Sequence, residues 1–489
     1  MSSYSMETVF AENALDQALA TRLSQLPADY DPLYVKNVIV PSLRSKTYIG
    51  ERPALPMIDV MLSKEMLMSS PIGGLLYQTW QPNQEVEGVT VFIRDLEKRG
   101  PDNLRKKIYV SAVTPDLYAP VYSAKVKAFL DRLFDNSNAG QPLMALYNDN
   151  FFDFYWDLHL GLKGSDVPKE VRDFGASFIA ALAYGDFTLR VVYENYMNAR
   201  KLRAALNEWI NARLKDIASG KAPNSQQTMA WYWIKNGELG ENFRERDVVF
   251  ECMHNLIAMG QYGFALHTFM EKLEEDQGDP VIRAVFKKTM ESDYDQAGGA
   301  VFTPLDRFVM ELFRTSNVNP GSVSSAKVES PPPERGAIRT LHLPTSMDPR
   351  HWEKPEEFNP ERYLSVPASH KADASECQQS GLARCPFESV PFRVKDGRNA
   401  EITNSAFGAV YAEVDGKPLP LCDYAGYAPF GFGYRRCAGE LLTIEVFKDF
   451  FRKVWKEKLV FQRLKSITPK KIPVGLQVVT DDIGFSRKS

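Results

Sequence analysis

The sequence predicts a mainly α protein with small β-sheets, and three observations carry that prediction. From Val121 to Ser219 apolar residues recur at three- and four-residue spacing almost without a break. Glu245 to Glu275 repeats the pattern as the longest candidate helix of the chain. Runs of alternating or β-branched residues are short, as small sheets require.

The chain has 489 residues, which suggests two or three domains, with one large helix-rich unit as the alternative. Hydrophobic residues at 44% and charged residues at 25% are ordinary for a soluble globular enzyme. A net charge of −3 provides no basic footprint, so no nucleic acid is expected as a partner. The cysteines (Cys252, Cys377, Cys385, Cys422 and Cys437) are odd in number and include no Cys-x-x-Cys pair. That argues against a zinc knuckle or a disulfide framework and for a reducing compartment. The N-terminus lacks a basic segment followed by an apolar one, and no window reaches 18 uncharged apolar residues. The expectation is a cytoplasmic protein without a membrane anchor.

In chain order, Glu7 to Leu26 is loosely helical, and Val35 to Pro41 and Pro53 to Val60 suit short strands and turns. Val86, Val89, Val91 and Ile93 suggest a strand within Gln84 to Arg94. Arg105, Lys106 and Lys107 are consecutive cations, as on a solvated helix end. Tyr122, Val126, Phe129, Leu130 and Leu133 share one helical face, and Val191 to Ile217 forms a long helix. Gly161, Pro168, Gly185 and Pro223 separate these helices. The aromatics Phe151, Phe152, Phe154, Tyr155 and Trp156 suit core packing or a pocket wall. His159, His254 and His267 are read as packed or surface histidines.

In the longest helix Val249, Met253, Leu256, Ile257, Gly260, Phe264 and Phe269 mark an apolar side, as in a helix crossing the molecule. Glu311 and Arg314 stand three apart on a later helix and can pair. Asn317 to Arg335 is rich in Pro, Ser and Gly. Strands are possible at Val390 to Val394 and at Gly408 to Val414, the latter before a hairpin-like Asp415-Gly416 turn. After Cys437, Leu441, Ile444, Val446, Phe447, Phe450, Phe451 and Val454 give a helix one apolar face, and lysines and arginines crowd the rest. Leu459 to Phe461 and Val474 to Val479 would be closing strands.

The stretch from Pro429 to Glu440 concentrates the chemistry. It places one cysteine in a glycine-rich loop that also carries Arg435 and Arg436, immediately before the amphipathic helix. A thiolate is a strongly donating ligand, and the axial position of a heme is one use for a single unpaired one. Gly431 and Gly433 let the backbone approach a flat macrocycle. Arg435, Arg436 and the helix N-terminus would stabilise the thiolate or a cofactor carboxylate.

Phe430, Gly433, Arg435, Cys437 and Gly439 fill every fixed position of Phe-x-x-Gly-x-Arg-x-Cys-x-Gly. This resembles the heme-binding loop of the cytochrome P-450 superfamily. Two further motifs precede it in the family's order, Glu311-x-x-Arg314 and the segment Pro355-x-x-Phe358-x-Pro360-x-Arg362. The resemblance covers roughly Glu245 to Ser489, and the earlier residues match only in length and helicity. It implies a single heme domain over 1–489 with heme b bound through Cys437. Glu311, Arg314 and Arg362 would form a structural charge cluster, and Arg105 or a neighbouring lysine would reach a propionate. Arg335, Arg339 and His342 are further propionate candidates. Relative to the family, 365–427 is enlarged and Asn317 to Arg335 stands where sheet strands normally line the pocket.

The long helix departs from the family. The usual glycine, acid and alcohol would fall on Gly260, Gln261, Tyr262 and Gly263, where the glycine is present but Tyr262 replaces the acid and Gly263 the threonine. One expectation is a monooxygenase acting on a small organic substrate, fed by a ferredoxin- or flavin-type donor that docks on Lys448, Arg452 and Lys453. A second is an enzyme that rearranges hydroperoxides or uses peroxide and needs no reductase. A third is a non-catalytic heme sensor or carrier, against which the retained thiolate loop argues.

Overall fold

The computed structural model describes residues 45–48, 60–61, 109, 112–113, 117–183, 189–237, 245–300, 302–316, 318, 321–326, 337–341, 343, 346–347, 349, 352–364, 369–371, 410–414, 417–420, 427, 429–430, 437 and 439–488. The expected elements at Glu7 to Leu26, Val35 to Pro41, Gln84 to Arg94 and Val390 to Val394 lie outside them, as do Cys377, Cys385 and Cys422.

Among the described residues the helices are α1 (Ser123–Leu133), α2 (Leu143–Leu160), α3 (Lys169–Ala183), α4 (Leu189–Ala218), α5 (Met229–Gly237), α6 (Glu245–Leu273), α7 (Pro280–Met290), α8 (Pro304–Thr315) and α9 (Glu440–Lys456). Their ends follow the punctuation. Gly161 closes α2 in a left-handed conformation with φ 70°, which glycine adopts without the cost a Cβ imposes. Asp279 caps α7, and Thr303 with Asp306 forms a capping box at the start of α8.

Helix α6 is the axis of the packing, in contact with α2, α3, α4, α5, α7 and strands of two sheets. Val249, Met253, Leu256, Phe269 and Met270 on it are buried, so its apolar side is consumed by neighbours all along its length. Phe447 of α9 meets Phe269 of α6 at 5.0 Å and Phe313 of α8 at 5.4 Å, both edge-on. Burying each such ring contributes about 2–3 kcal/mol. These contacts hold α6, α8 and α9 together beside Cys437.

The strands form small sheets. Strands β1 (Ser45–Tyr48), β2 (Val60–Met61), β3 (Gly321–Ala326) and β4 (Ala337–Leu341) join in the order β1-β4-β3-β2, with β1 parallel to β4 and the other pairs antiparallel. The Pro-, Ser- and Gly-rich stretch therefore does contain a strand, β3. Pairing on both of its edges overrides the weak strand propensity of Gly321-Ser-Val-Ser-Ser-Ala326. Strands β5 (Ser369–Lys371), β6 (Val410–Val414) and β7 (Lys417–Pro420) form a second sheet with Val414 paired to Lys417, and the expected Asp415-Gly416 turn lies outside the described residues. Strand β8 (Leu459–Arg463) pairs with β11 (Ile483–Arg487), and β9 (Lys471–Val474) with β10 (Gln477–Thr480). The expected strand from Val474 to Val479 is thus two strands, divided at Gly475, whose φ of 57° turns the chain back.

Candidate functional site

Cys437 is exposed, and its N–H donates to the carbonyl of Phe430 at 2.9 Å, drawing together the two ends of the loop. The ring of Phe430 lies 5.0 Å from that of Phe313 on α8, which fixes the loop against the core. Gly439 is the N-cap of α9, and its carbonyl accepts from Thr443 N at 2.8 Å. A Cβ on Gly439 would stand 3.7 Å from the Cys437 sulfur, an ordinary contact. The thiol therefore sits just ahead of the N-terminus of α9, two residues before its N-cap, where the helix dipole favours a thiolate. Gly433, Arg435 and Arg105 lie outside the described residues, as do Arg335 and His342; Arg339 is on β4.

The face of α6 nearest Cys437 is not the one the glycines suggest. A Cβ on Gly260 would come within 2.8 Å of Gly475 Cα in the β9–β10 turn, and one on Gly263 within 2.6 Å of the Tyr147 ring. Both glycines serve close packing against other elements. Gln261 shares this contact, since a Cβ on Gly475 would lie 2.7 Å from its amide nitrogen. The residue turned toward α9 is Tyr262, whose hydroxyl lies 3.2 Å from Thr443 Oγ1 and whose ring meets Phe447 at 5.9 Å. Burial pushes the Tyr262 phenol up, and the nearby Cys437 adds to the rise.

Helical spacing places Glu251, Asn255, Ala258 and Tyr262 on one stripe. Ala258 is exposed within an otherwise largely buried helix, so the stripe borders open space at its middle. Tyr109 stands on the same side and donates to Asn255 Oδ1 at 2.7 Å. Its phenol is also raised, by burial first, then by the charge of Glu251 and by Cys437. Tyr109 and Tyr262 thus both lie near enough to Cys437 for its charge to raise their phenols. Sequence periodicity contained the stripe, but nothing in it marked Tyr109 or Asn255.

The charge cluster is fully assembled. Glu311, with no exposed side-chain surface, accepts from Arg314 at 2.8 Å through each oxygen and from Arg362 Nε at 2.9 Å. Asn359 N at 2.9 Å and the Tyr363 hydroxyl at 3.2 Å complete its partners. Both arginines spend their other donors on carbonyls, Arg314 on Ser346 and Pro355, Arg362 on Glu353 and Glu357. So many charge-assisted bonds offset the cost of burying three ions.

The cations of α9 correct an expectation. Lys448 is 7% exposed and pairs with Asp306 and Glu445, each at 2.8 Å. Arg452 binds Asp295 at 2.6 Å and Asp449 at 2.7 Å, and Lys453 binds Asp131 at 2.7 Å and Glu457 at 2.5 Å. Each cation is neutralised by the protein's own carboxylates, so these three present no field with which to steer an acidic partner.

No family model matches the chain. Cytochrome P450 71B24 of Arabidopsis thaliana is 46% identical over 177 residues, 35% of this chain and 30% of that relative's length. A zebra fish cytochrome P450 solved with progesterone superposes with a TM-score of 0.54 at 16% identity, over 84% of this chain and 86% of the other. A retinoic acid-bound cyanobacterial CYP120A1 superposes at 0.52 and 15% identity, over 84% and 82%. The fold is therefore the cytochrome P-450 fold, mainly helical with small sheets. The resemblance to the cytochrome P-450 superfamily holds in sequence and in architecture.

Proposed function

We propose that this chain is a heme-thiolate oxidoreductase, its residues 1–489 forming one heme domain. The observation that carries the reading is the exposed thiol of Cys437, held just ahead of the N-terminus of α9 and near Tyr262 of α6. The residues fit the group. The exposed Cys437 thiol and the exposed Ala258, on the Tyr262 side of α6, would leave that region accessible to a flat cofactor. Cys437 would bind the iron of heme b, with Phe430 and Gly439 beside it and Gly433, Arg435 and Arg105 as further contacts. When bound, such a heme supplies activation of an oxygen–oxygen bond, the thiolate donating electron density that favours cleavage.

The protein's own share is orientation and proton supply. Tyr262 and Thr443 place two hydroxyls within hydrogen-bond reach of each other between α6 and α9. Tyr262, like any phenol, is protonated at neutral pH, and burial pushes it further in that direction, so it holds a proton rather than a charge. The helix is compatible with a monooxygenase that oxidises a small organic substrate with dioxygen and electrons from a ferredoxin- or flavin-type donor. Among the described residues no helix is long and apolar enough to cross a membrane.

A second reading, a peroxide-using or hydroperoxide-rearranging enzyme, is favoured by one observation. The α9 cations are committed to internal carboxylates, which removes the docking argument for a reductase. Mixing the ferric protein with hydrogen peroxide or a fatty-acid hydroperoxide, without reductase, separates the two. Catalytic consumption with a discrete product supports the second reading. Bleaching without turnover, together with donor-dependent oxidation, supports the first. Cys437→Ser tests both, since a variant with unaltered heme spectrum and activity would overturn the assignment.

A further inference from the structure

The helix that carries the charge cluster makes a second, apolar contact with the cysteine loop. Glu311 and Arg314 are locked to Arg362 and to the carbonyls of Ser346 and Pro355, which fixes one side of α8. Phe313 stands two residues from Glu311, a rotation of about 200° on a helix, so its side chain leaves α8 away from that carboxylate. The ring is 4% exposed and is enclosed by rings from three other parts of the chain. Phe269 of α6 lies at 5.1 Å, Phe447 of α9 at 5.4 Å and Phe430 of the cysteine loop at 5.0 Å. The first two meet it edge-on, an arrangement that aromatic pairs favour.

Phe430 in turn holds Cys437, because its carbonyl accepts the cysteine N–H at 2.9 Å. The residue whose ring Phe313 seats is therefore the residue to which the thiol-bearing backbone is bonded. The buried ions and the thiol are joined through Phe313, Phe430 and one backbone hydrogen bond.

We propose that Phe313 is a positioning residue for the Cys437 ligand, acting through Phe430, so that retention of thiolate ligation depends on how firmly α8 seats the loop. This rests on the reading of Cys437 as the axial heme ligand. The Phe313 ring limits how far Phe430 can move, and with it the hydrogen bond that fixes the cysteine backbone. An aliphatic side chain keeps the core largely filled but gives Phe430 no aromatic partner. One aromatic pair is worth about a two- to tenfold change in the process it governs. Phe308 provides the control: it is buried on the same helix, in an aromatic cluster with Phe286 at 5.5 Å, Phe358 at 5.6 Å and Phe451 at 5.2 Å that does not include Phe430.

The test follows the ferrous carbon monoxide complex of the holoprotein, whose absorption distinguishes a thiolate ligand from its replacement, at one pH and well below the melting transition. Phe313→Leu is expected to lose the thiolate band about two- to tenfold faster than the unaltered protein. Phe308→Leu, a core substitution of the same size, is expected to lose it at the unaltered rate. Phe430→Leu should also be faster, and the Phe313→Leu, Phe430→Leu double variant no faster than Phe430→Leu alone, since both remove one contact. Should Phe313→Leu fail to fold, Phe313→Met is compared with the same control. An unaltered rate in the Phe313 variant, equal acceleration by Phe308→Leu, or additive effects in the double variant would overturn the proposal. The heme reading fails by a different result: an unaltered protein whose carbon monoxide complex shows no thiolate band sinks that reading and this proposal with it.

Discussion

The hydroxyls of Tyr262 and Thr443 lie 3.2 Å apart, linking the longest helix of the protein to the helix that begins beside Cys437. The contact ties α6 to α9 by one polar bond at the edge of an aromatic cluster, since Tyr262 also packs on Phe447. Tyr262→Phe keeps the ring contact and removes the bond. A loss of about 1 kcal/mol of unfolding free energy is expected in urea titration. No change in midpoint would mean that the two hydroxyls prefer other partners.

Gly263 tests how α6 is turned. Were it the alcohol position of a distal groove, Gly263→Thr would be accommodated beside the cofactor. The structure instead predicts overpacking against Tyr147 and Val474, where a Cβ would approach within 2.6 Å and 3.0 Å. The expected cost is about 1–3 kcal/mol. A Gly263→Thr protein that melts as the unaltered one does would return the glycine to the groove.

Lys448 should act on stability and not on partner docking. Burial alone would lower its ammonium pKa, but Asp306 and Glu445 outweigh that and raise it. Lys448→Met leaves Asp306, itself 1% exposed, without this cation. A loss of about 3 kcal/mol is expected in chemical denaturation, as for breaking a buried pair. If instead the variant is stable and reductase-driven turnover collapses, the lysine is a docking residue after all.

Acid stability should depend on Glu271. Burial by itself would raise its carboxyl; the hydrogen bond and charge of His267, then those of Arg463, carry it down to about 2. The folded value lies below the ordinary 4.5, so its contribution is complete above pH 4.5 and is lost as pH falls through about 2. Glu271→Gln should flatten the acid limb of the stability curve in that window. A curve parallel to that of the unaltered protein would show that the carboxylate is not linked to folding.

The charge cluster shows what was legible and why. Glu311, Arg314 and Arg362 occur in a fixed order and spacing, and the pair on α8 shares a face at any helical geometry. Their meeting within 2.9 Å needs only that the two segments approach. The α9 cations show the opposite case. Their partners Asp131, Asp295 and Asp306 are distant in sequence, so their neutralisation could not be read from a run of lysines and arginines.

The sequence by itself determined the helical class, the extents of α4 and α6, the cysteine loop with its following helix, and the resemblance those motifs carry. Periodicity and short-range spacing encode these things, and they do not depend on what packs against them. Only the tertiary structure decided which side of α6 faces Cys437. Helical spacing yields several stripes, and the choice among them came from Gly475 and Tyr147 pressing on Gly260 and Gly263. The same packing turned Tyr262 toward Thr443 and bonded Tyr109 to Asn255, because residues distant in sequence meet only once the helices have packed.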